Sequence, residues 1–136
     1  MKIAVDFDGT IVQHAYPKIG KEISFAIETL KLLQREHHQI ILWTVREGIL
    51  LDEAVAYCKE RGLDFYAVNA SSPNEDVKND NYSRKIKADL FIDDKNIGGL
   101  LDWGVVYRLI HDRLSLEEVL FENEVKAKKA KFWSLF

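Results

Sequence analysis

Three apolar runs in this chain end on residues able to do chemistry. Asp6-Phe7-Asp8 closes the first, Thr44-Val45-Arg46 closes the second, and Asp93-Asp94 closes a later one. Two carboxylates at i and i+2 on a regular strand share a face, and a strand end can aim both into one crevice. Gly9 permits the sharp turn that takes the chain out of the sheet. Like charges held this close cannot both stay ionised and unpaired without cost. A divalent cation resolves the repulsion, and four carboxylates with a backbone carbonyl form a hard oxygen site suited to Mg²⁺. One aspartate is then free to attack phosphorus as a nucleophile, while the other protonates the departing oxygen and later activates water. Thr44 adds a hydroxyl donor and a lysine adds positive charge for the phosphoryl oxygens. Phosphoryl transfer needs mainly such positioning and charge stabilisation.

These residues must be carried by elements that bring them together. Residues 2–7 read as a strand buried on both faces, as in parallel sheets. Residues 11–20, with Pro17 and Gly20, read as a loop. From Lys21, the positions Ile23, Ala26, Ile27, Leu30 and Leu33 mark one face of a helix running to about Glu36. His37-His38 sits at its end, where imidazolium suits the helix dipole. A second buried strand spans 39–45. A helix from about Ile49 to Arg61 follows, ended by Gly62, with Cys58 as a small core residue.

Phe65–Val68 is a third strand, and residues 69–84 form a polar loop in which Asn69 and Asn81 are candidates to line the site. Lys87–Ile92 is a fourth strand. Asp102 can N-cap a helix carrying Val106, Leu109 and Ile110, although Gly104-Val105-Val106-Tyr107 also reads as a strand. Ser115 with Glu118 forms a capping box, so a last helix starts near Leu116. This strand–helix alternation predicts a parallel sheet with helices on both faces. Its ligand crevice lies outside the C-terminal strand ends, where the polar residues cluster.

The pattern resembles the haloacid dehalogenase-like superfamily of phosphohydrolases. Asp6-Phe7-Asp8-Gly9-Thr10 after an apolar strand is similar to its first motif, Ile40 to Arg46 to its second, and Phe91-Ile92-Asp93-Asp94 to its fourth. The elements fall in the family's order over residues 3–94. The resemblance implies a Rossmann-like three-layer α/β/α fold with strand order 4-1-2-3. It makes Asp6 the nucleophile that forms an aspartyl-phosphate and Asp8 the general acid/base, whose backbone carbonyl also ligates Mg²⁺. Thr44 binds the phosphoryl group, Asp94 is the metal-binding aspartate of the fourth motif, and Asp93 assists it. Gly9, Thr10 and Arg46 are assigned to substrate binding. Lys85 is the third-motif lysine, with Lys87 in reserve; only seven residues separate Lys85 from Asp93, fewer than in many relatives. A carboxylate at Asp8 favours a phosphatase over a dehalogenase, because a departing alkoxide needs a proton. Neither 11–39 nor 45–84 is long enough for an inserted cap, so the site is expected to be open to a phosphate on a small molecule or a larger partner.

Composition narrows the class further. The chain has 136 residues, 19 basic against 22 acidic, and one cysteine. This is the size of a single domain, residues 1–136, with a helical extension at about 115–136. One cysteine excludes a disulfide framework and a cysteine-based zinc site. No apolar run approaches a membrane span, the N-terminus does not read as a secretory signal, and the expected location is cytoplasmic. A pI of about 5.8 lacks the footprint of a general nucleic-acid binder. Two rival readings remain. One is a phosphorylation-dependent signalling module like receiver domains, whose acidic pair and phosphoacceptor are distributed differently along the chain; the other is a domain that binds a phosphorylated ligand without turnover. The loop residues His14, Tyr16 and Pro17 either face solvent or touch substrate, and Arg46 either clamps substrate or pairs with Glu47 or Asp52. The basic, aromatic tail from Lys126 to Trp133 is read as a packed terminal helix, with self-association or a role at an anionic surface as the alternatives.

Overall fold

The computed structural model describes residues 1–76, 78 and 84–136. Among these residues, four strands and four helices follow one another as β1 (Lys2–Val5), α1 (Ala26–Arg35), β2 (Gln39–Leu42), α2 (Gly48–Glu60), β3 (Ala67–Val68), β4 (Leu90–Ile92), α3 (Trp103–His111) and α4 (Leu116–Trp133). The strands form one all-parallel sheet in the order β3-β2-β1-β4, the expected 4-1-2-3 arrangement. No cap domain is present among the described residues. The chain divides into two compact units, Met1–Leu100 and Leu101–Phe136.

In the first unit, β1 and β2 lie in the middle of the sheet. Ile3, Ala4, Val5, Ile40, Ile41 and Leu42 are all buried, so both sheet faces are covered, as the continuous apolar runs require. Ala4, Ile41 and Ala67 are neighbours in register and, with Ile86, pack as one cluster against Trp43, Tyr66, Ala88 and Phe91. Ile3 and Val5 alternate to the opposite face.

The strands are shorter than their apolar runs, and α1 begins later than its periodicity suggests. The physical reason lies in residues 11–23. Val12 bridges Glu22 antiparallel, and the Ile23 amide donates to Ile11 O, so residues 21–23 are extended and Ile23 is not helical. Helix ends follow local rules more closely. Gly62 (φ 82°) donates to Lys59 O and Leu63 to Cys58 O, a Schellman closure of α2. His37 (φ 67°) and His38 close α1 in the same way, through Gln34 O and Leu33 O. These two histidines therefore terminate the helix through their backbone.

In the second unit, residues 103–111 are helical, which settles the helix-or-strand alternative. The Asp102 carboxylate accepts from the Gly104 amide, and the buried Trp103, Val106 and Ile110 form the apolar stripe of α3. Ser115 and Glu118 make the full reciprocal capping box at the start of α4. Val119 is the buried residue of α4, and Arg108 of α3 reaches Glu122 at 2.7 Å. Because α3 packs against α4, the second unit begins at Leu101, before the expected extension at 115. No described helix is long and apolar enough to cross a membrane.

Candidate functional site

The site begins in strand register. Val5 lies opposite Ile92 in the parallel β1–β4 pair, and the Asp6 amide continues the ladder by donating to Ile92 O at 3.0 Å. Parallel neighbours sit about 4.8 Å apart. The residues immediately beyond these ends, Asp6 on one strand and Asp93-Asp94 on the other, must therefore emerge side by side. They do: carboxylate oxygens of Asp6, Asp93 and Asp94 all lie within 4.8 Å of one another.

The chain after Asp6 folds into a tight turn. Phe7 O accepts from the amides of Thr10, Ile11 and Val12, and the Gly9 amide donates to Val12 O. Gly9 has φ 84°, and a Cβ there would come within 2.4 Å of His14 Nε2 and 2.5 Å of Asp94 Oδ2. Both its backbone conformation and its lack of a side chain are required. Thr10 is fully buried beneath the turn; its hydroxyl accepts from the Asp94 amide at 3.0 Å and donates to Asp6 Oδ2 at 3.4 Å. It ties the first acidic strand end to the second, a positioning role in place of the expected substrate contact.

Asp8 is not part of the three-carboxylate cluster. The i, i+2 rule lapses because β1 stops at Val5 and the turn carries Asp8 toward residue 46. Arg46 grips it with a two-pronged ion pair, Nε to Oδ2 and Nη2 to Oδ1, both 2.7 Å. The Arg46 side chain is 0% exposed and that of Asp8 9%. The guanidinium also donates to Pro17 O at 3.1 Å and Lys18 O at 2.9 Å, and it lies over the rings of Phe7 and Tyr16. Its hydrogen bond to Asp8 raises its already high pKa, against the opposing effect of burial. Both sequence readings of Arg46, a substrate clamp and a surface pair with Glu47 or Asp52, are replaced by a buried anchor. The cause is electrostatic: Arg46 cancels the Asp8 charge that would otherwise crowd the cluster.

Charge in the cluster itself is handled in two ways. Burial pushes the Asp6 carboxyl up to about 7; the backbone hydrogen bond at Phe7 opposes this, and the charges of Asp93, Asp94 and Asp8 add to it. For Asp94, burial again pushes upward, but the His14 hydrogen bond and the Lys95 charge outweigh it, and the net direction is down. His14 Nε2 meets Asp94 Oδ2 at 3.0 Å, and Lys95 Nζ lies 3.5 Å from the same oxygen. The other oxygen, Asp94 Oδ1, is shielded from solvent and accepts no hydrogen bond among the described residues. A buried anionic oxygen without a donor is a costly arrangement for a bare protein and a natural one for a metal ligand. The residues present thus fit a hard cation.

The end of β2 contributes Thr44. Its amide donates to Asn69 Oδ1 at 2.8 Å, and its hydroxyl oxygen accepts from the Arg46 amide at 3.2 Å, so the hydroxyl proton points elsewhere. Asn69 (φ 49°) also donates to Arg46 O at 3.5 Å; its role is to brace the β2 end. Lys85 sets its ammonium over the Phe91 ring at 5.2 Å, and the Lys87 amide donates to Ser71 Oγ at 3.0 Å. Asn79, Asn81 and Ser83 of the polar loop lie outside the described residues. His14 was the least legible member of the site, since its sole sequence signal is proximity to the turn at Gly9.

Comparison with known proteins bears on this site through one solved structure, described as a conserved protein coded by a locus of Bacteroides thetaiotaomicron. It shares 58% sequence identity and superimposes with a TM-score of 0.82, covering 88% of this chain and 96% of that one. The chain belongs to that protein's family. No protein-family model matches the sequence, and no curated protein does.

Proposed function

We propose that this protein is a Mg²⁺-dependent phosphatase that hydrolyses phosphate monoesters through an aspartyl-phosphate on Asp6, on a capless three-layer fold of the haloacid dehalogenase-like type. The observation that carries the reading is the three-carboxylate cluster of Asp6, Asp93 and Asp94, one of whose residues, Asp94, keeps a buried oxygen, Oδ1, with no donor among the described residues. Asp6, Asp93 and Asp94, with the Asp8 backbone carbonyl, would hold the ion. When bound, Mg²⁺ supplies the positive charge that lets Asp6 stand ionised beside an anionic phosphate.

The protein's own groups then divide the work. A carboxylate oxygen of Asp6 attacks phosphorus, and the ester oxygen leaves with a proton delivered by Asp8. Water next attacks the aspartyl-phosphate, giving its proton back to Asp8, and inorganic phosphate departs. The Thr44 hydroxyl and the Lys85 ammonium stabilise the phosphoryl oxygens, with Lys87 as the reserve for the lysine. For Asp8 to carry a proton, one prong of the Arg46 fork must open, since both carboxylate oxygens are engaged in the ground state.

That same fork favours a second reading, a domain that binds a phosphorylated ligand or holds a phosphoryl group without turnover. A panel of phosphate monoesters with Mg²⁺, assayed for released phosphate, tests the proposal. Turnover that is abolished in Asp6→Asn supports it. Wild-type turnover in Asp6→Asn refutes the nucleophile, and a long-lived acyl phosphate with no released phosphate supports the second reading.

A further inference from the structure

Helix α4 carries a surface that the proposed chemistry does not use. Phe121, Val125 and Phe132 recur at helical spacing along one stripe of α4, well rotated from Val119, the residue the helix buries, and Phe136 follows just beyond the helix end. Phe121 is 66% exposed, Phe132 55% and Phe136 90%. The Phe132 ring meets those of Phe136 at 5.2 Å and Trp133 at 5.8 Å, so these three exposed rings form one aromatic patch at the C-terminal end of the stripe that Phe121 begins. A contiguous apolar patch of this kind marks an interaction site.

Charge along α4 says what covers it. Glu117, Glu118, Glu122 and Glu124 occupy the N-terminal half, and Lys126, Lys128, Lys129 and Lys131 the C-terminal half, with no charge of the other sign in either. The helix dipole accounts for Glu117 and Glu118 in the first turn and Lys131 in the last, because its influence fades within one turn. It does not account for Glu122, Glu124, Lys126 or Lys128. An anionic surface would attract the second half and repel the first. A second α4 laid antiparallel satisfies both.

We propose that this face is the interface of a homodimer in which the α4 helices of two copies pair antiparallel about a twofold axis. Setting Phe121 of each copy against Phe132 of the other places the axis midway between positions 126 and 127 and puts Val125 against the stem of Lys128. In that register Glu124 and Lys131, seven residues apart on one flank of the stripe, face their counterparts with an axial offset of about 3 Å, well within side-chain reach. Glu122 and Lys129 do the same on the other flank, where Glu122 already holds Arg108. The four phenylalanines that meet would cover roughly 500 Å² at their present exposure. Val125, Phe136 and the lysine stems bring the total to about 1,000 Å², the lower end of a specific interface, so the dimer is reversible and concentration-dependent.

Sedimentation equilibrium of the full chain over a wide concentration range is the test. A monomer–dimer equilibrium is expected, weakened at least about tenfold by Phe121→Ser with Phe132→Ser. Both residues are exposed, and circular dichroism checks that the helices remain. Lys131→Glu and Glu124→Lys should each weaken the dimer, and the double exchange should restore it, a response that general stickiness cannot reproduce. A chain that stays monomeric overturns the proposal, as does a dimer indifferent to the phenylalanines or a double exchange that fails to restore. A monomer that co-sediments with phosphatidylserine vesicles would assign the face to lipid and overturn it equally.

Discussion

Removing the Arg46 side chain leaves one of the least tolerable defects available to this fold. Arg46→Met keeps much of the apolar stem between Phe7 and Tyr16 but deletes both bonds to Asp8 and the donors to Pro17 O and Lys18 O. Asp8, with a side chain only 9% exposed, then keeps a charge with nothing opposite it. Breaking a buried pair from one side costs about 3–5 kcal/mol. For a chain of this length each kcal/mol moves the midpoint by roughly 3–5 °C, so a fall of about 10–20 °C is expected. Asp8→Asn removes the charge but keeps the shape, and added to Arg46→Met it should recover about half of the loss, because the stranded carboxylate is gone. Thermal melts of the four proteins at neutral pH, with urea titrations to confirm the ranking, measure this cycle. A drop of under about 3 °C for Arg46→Met, or a double variant no more stable than the single, would refute the argument that Arg46 is there to neutralise Asp8.

Other perturbations probe the cluster. Burial pushes the folded Asp6 carboxyl up to about 7 from its ordinary 3.8, so between these limits the folded state binds more protons than the unfolded one. Its contribution to the metal-free protein is present below about pH 4 and is lost as pH rises to about 7; melts across this window should fall for the wild type and flatten for Asp6→Asn, and added Mg²⁺ should raise the wild-type midpoint at the upper end. Gly9→Ala forces a Cβ against His14 and Asp94 and a left-handed backbone costing about 1–2 kcal/mol, so calorimetry should show weaker Mg²⁺ binding as well as a lower melting point. Thr10→Val keeps the shape but strips the Asp94 amide of its acceptor, for a loss of about 1–3 kcal/mol by denaturant titration.

Much of the framework could be read along the chain, because the signals involved are local. The capping box at Ser115 and Glu118, the cap at Asp102 and the glycine stop at position 62 are set by residues within a few positions of each other. The parallel sheet followed from the alternation of apolar runs and amphipathic stretches, whereas its strand order came with the family resemblance. Boundaries were harder. Whether Ile23 starts a helix depends on its amide reaching Ile11, and a periodicity argument is blind to that pairing. β1 likewise stops at Val5 because Phe7 O gathers three amides of the following turn, although Phe7 itself is as apolar as the strand before it.

At the candidate site the division is cleaner. The linear order of residues determined that acidic groups end neighbouring buried strands, since a carboxylate cannot continue a run covered on both faces and must emerge at its rim. What each carboxylate does there was decided only in three dimensions. Asp8 meets Arg46 across 38 positions, His14 meets Asp94 across 80, and Thr10 receives the Asp94 amide across 84. Those partners were chosen by the electrostatic need to compensate charges that folding had brought together, and such a need does not exist until the strands are side by side.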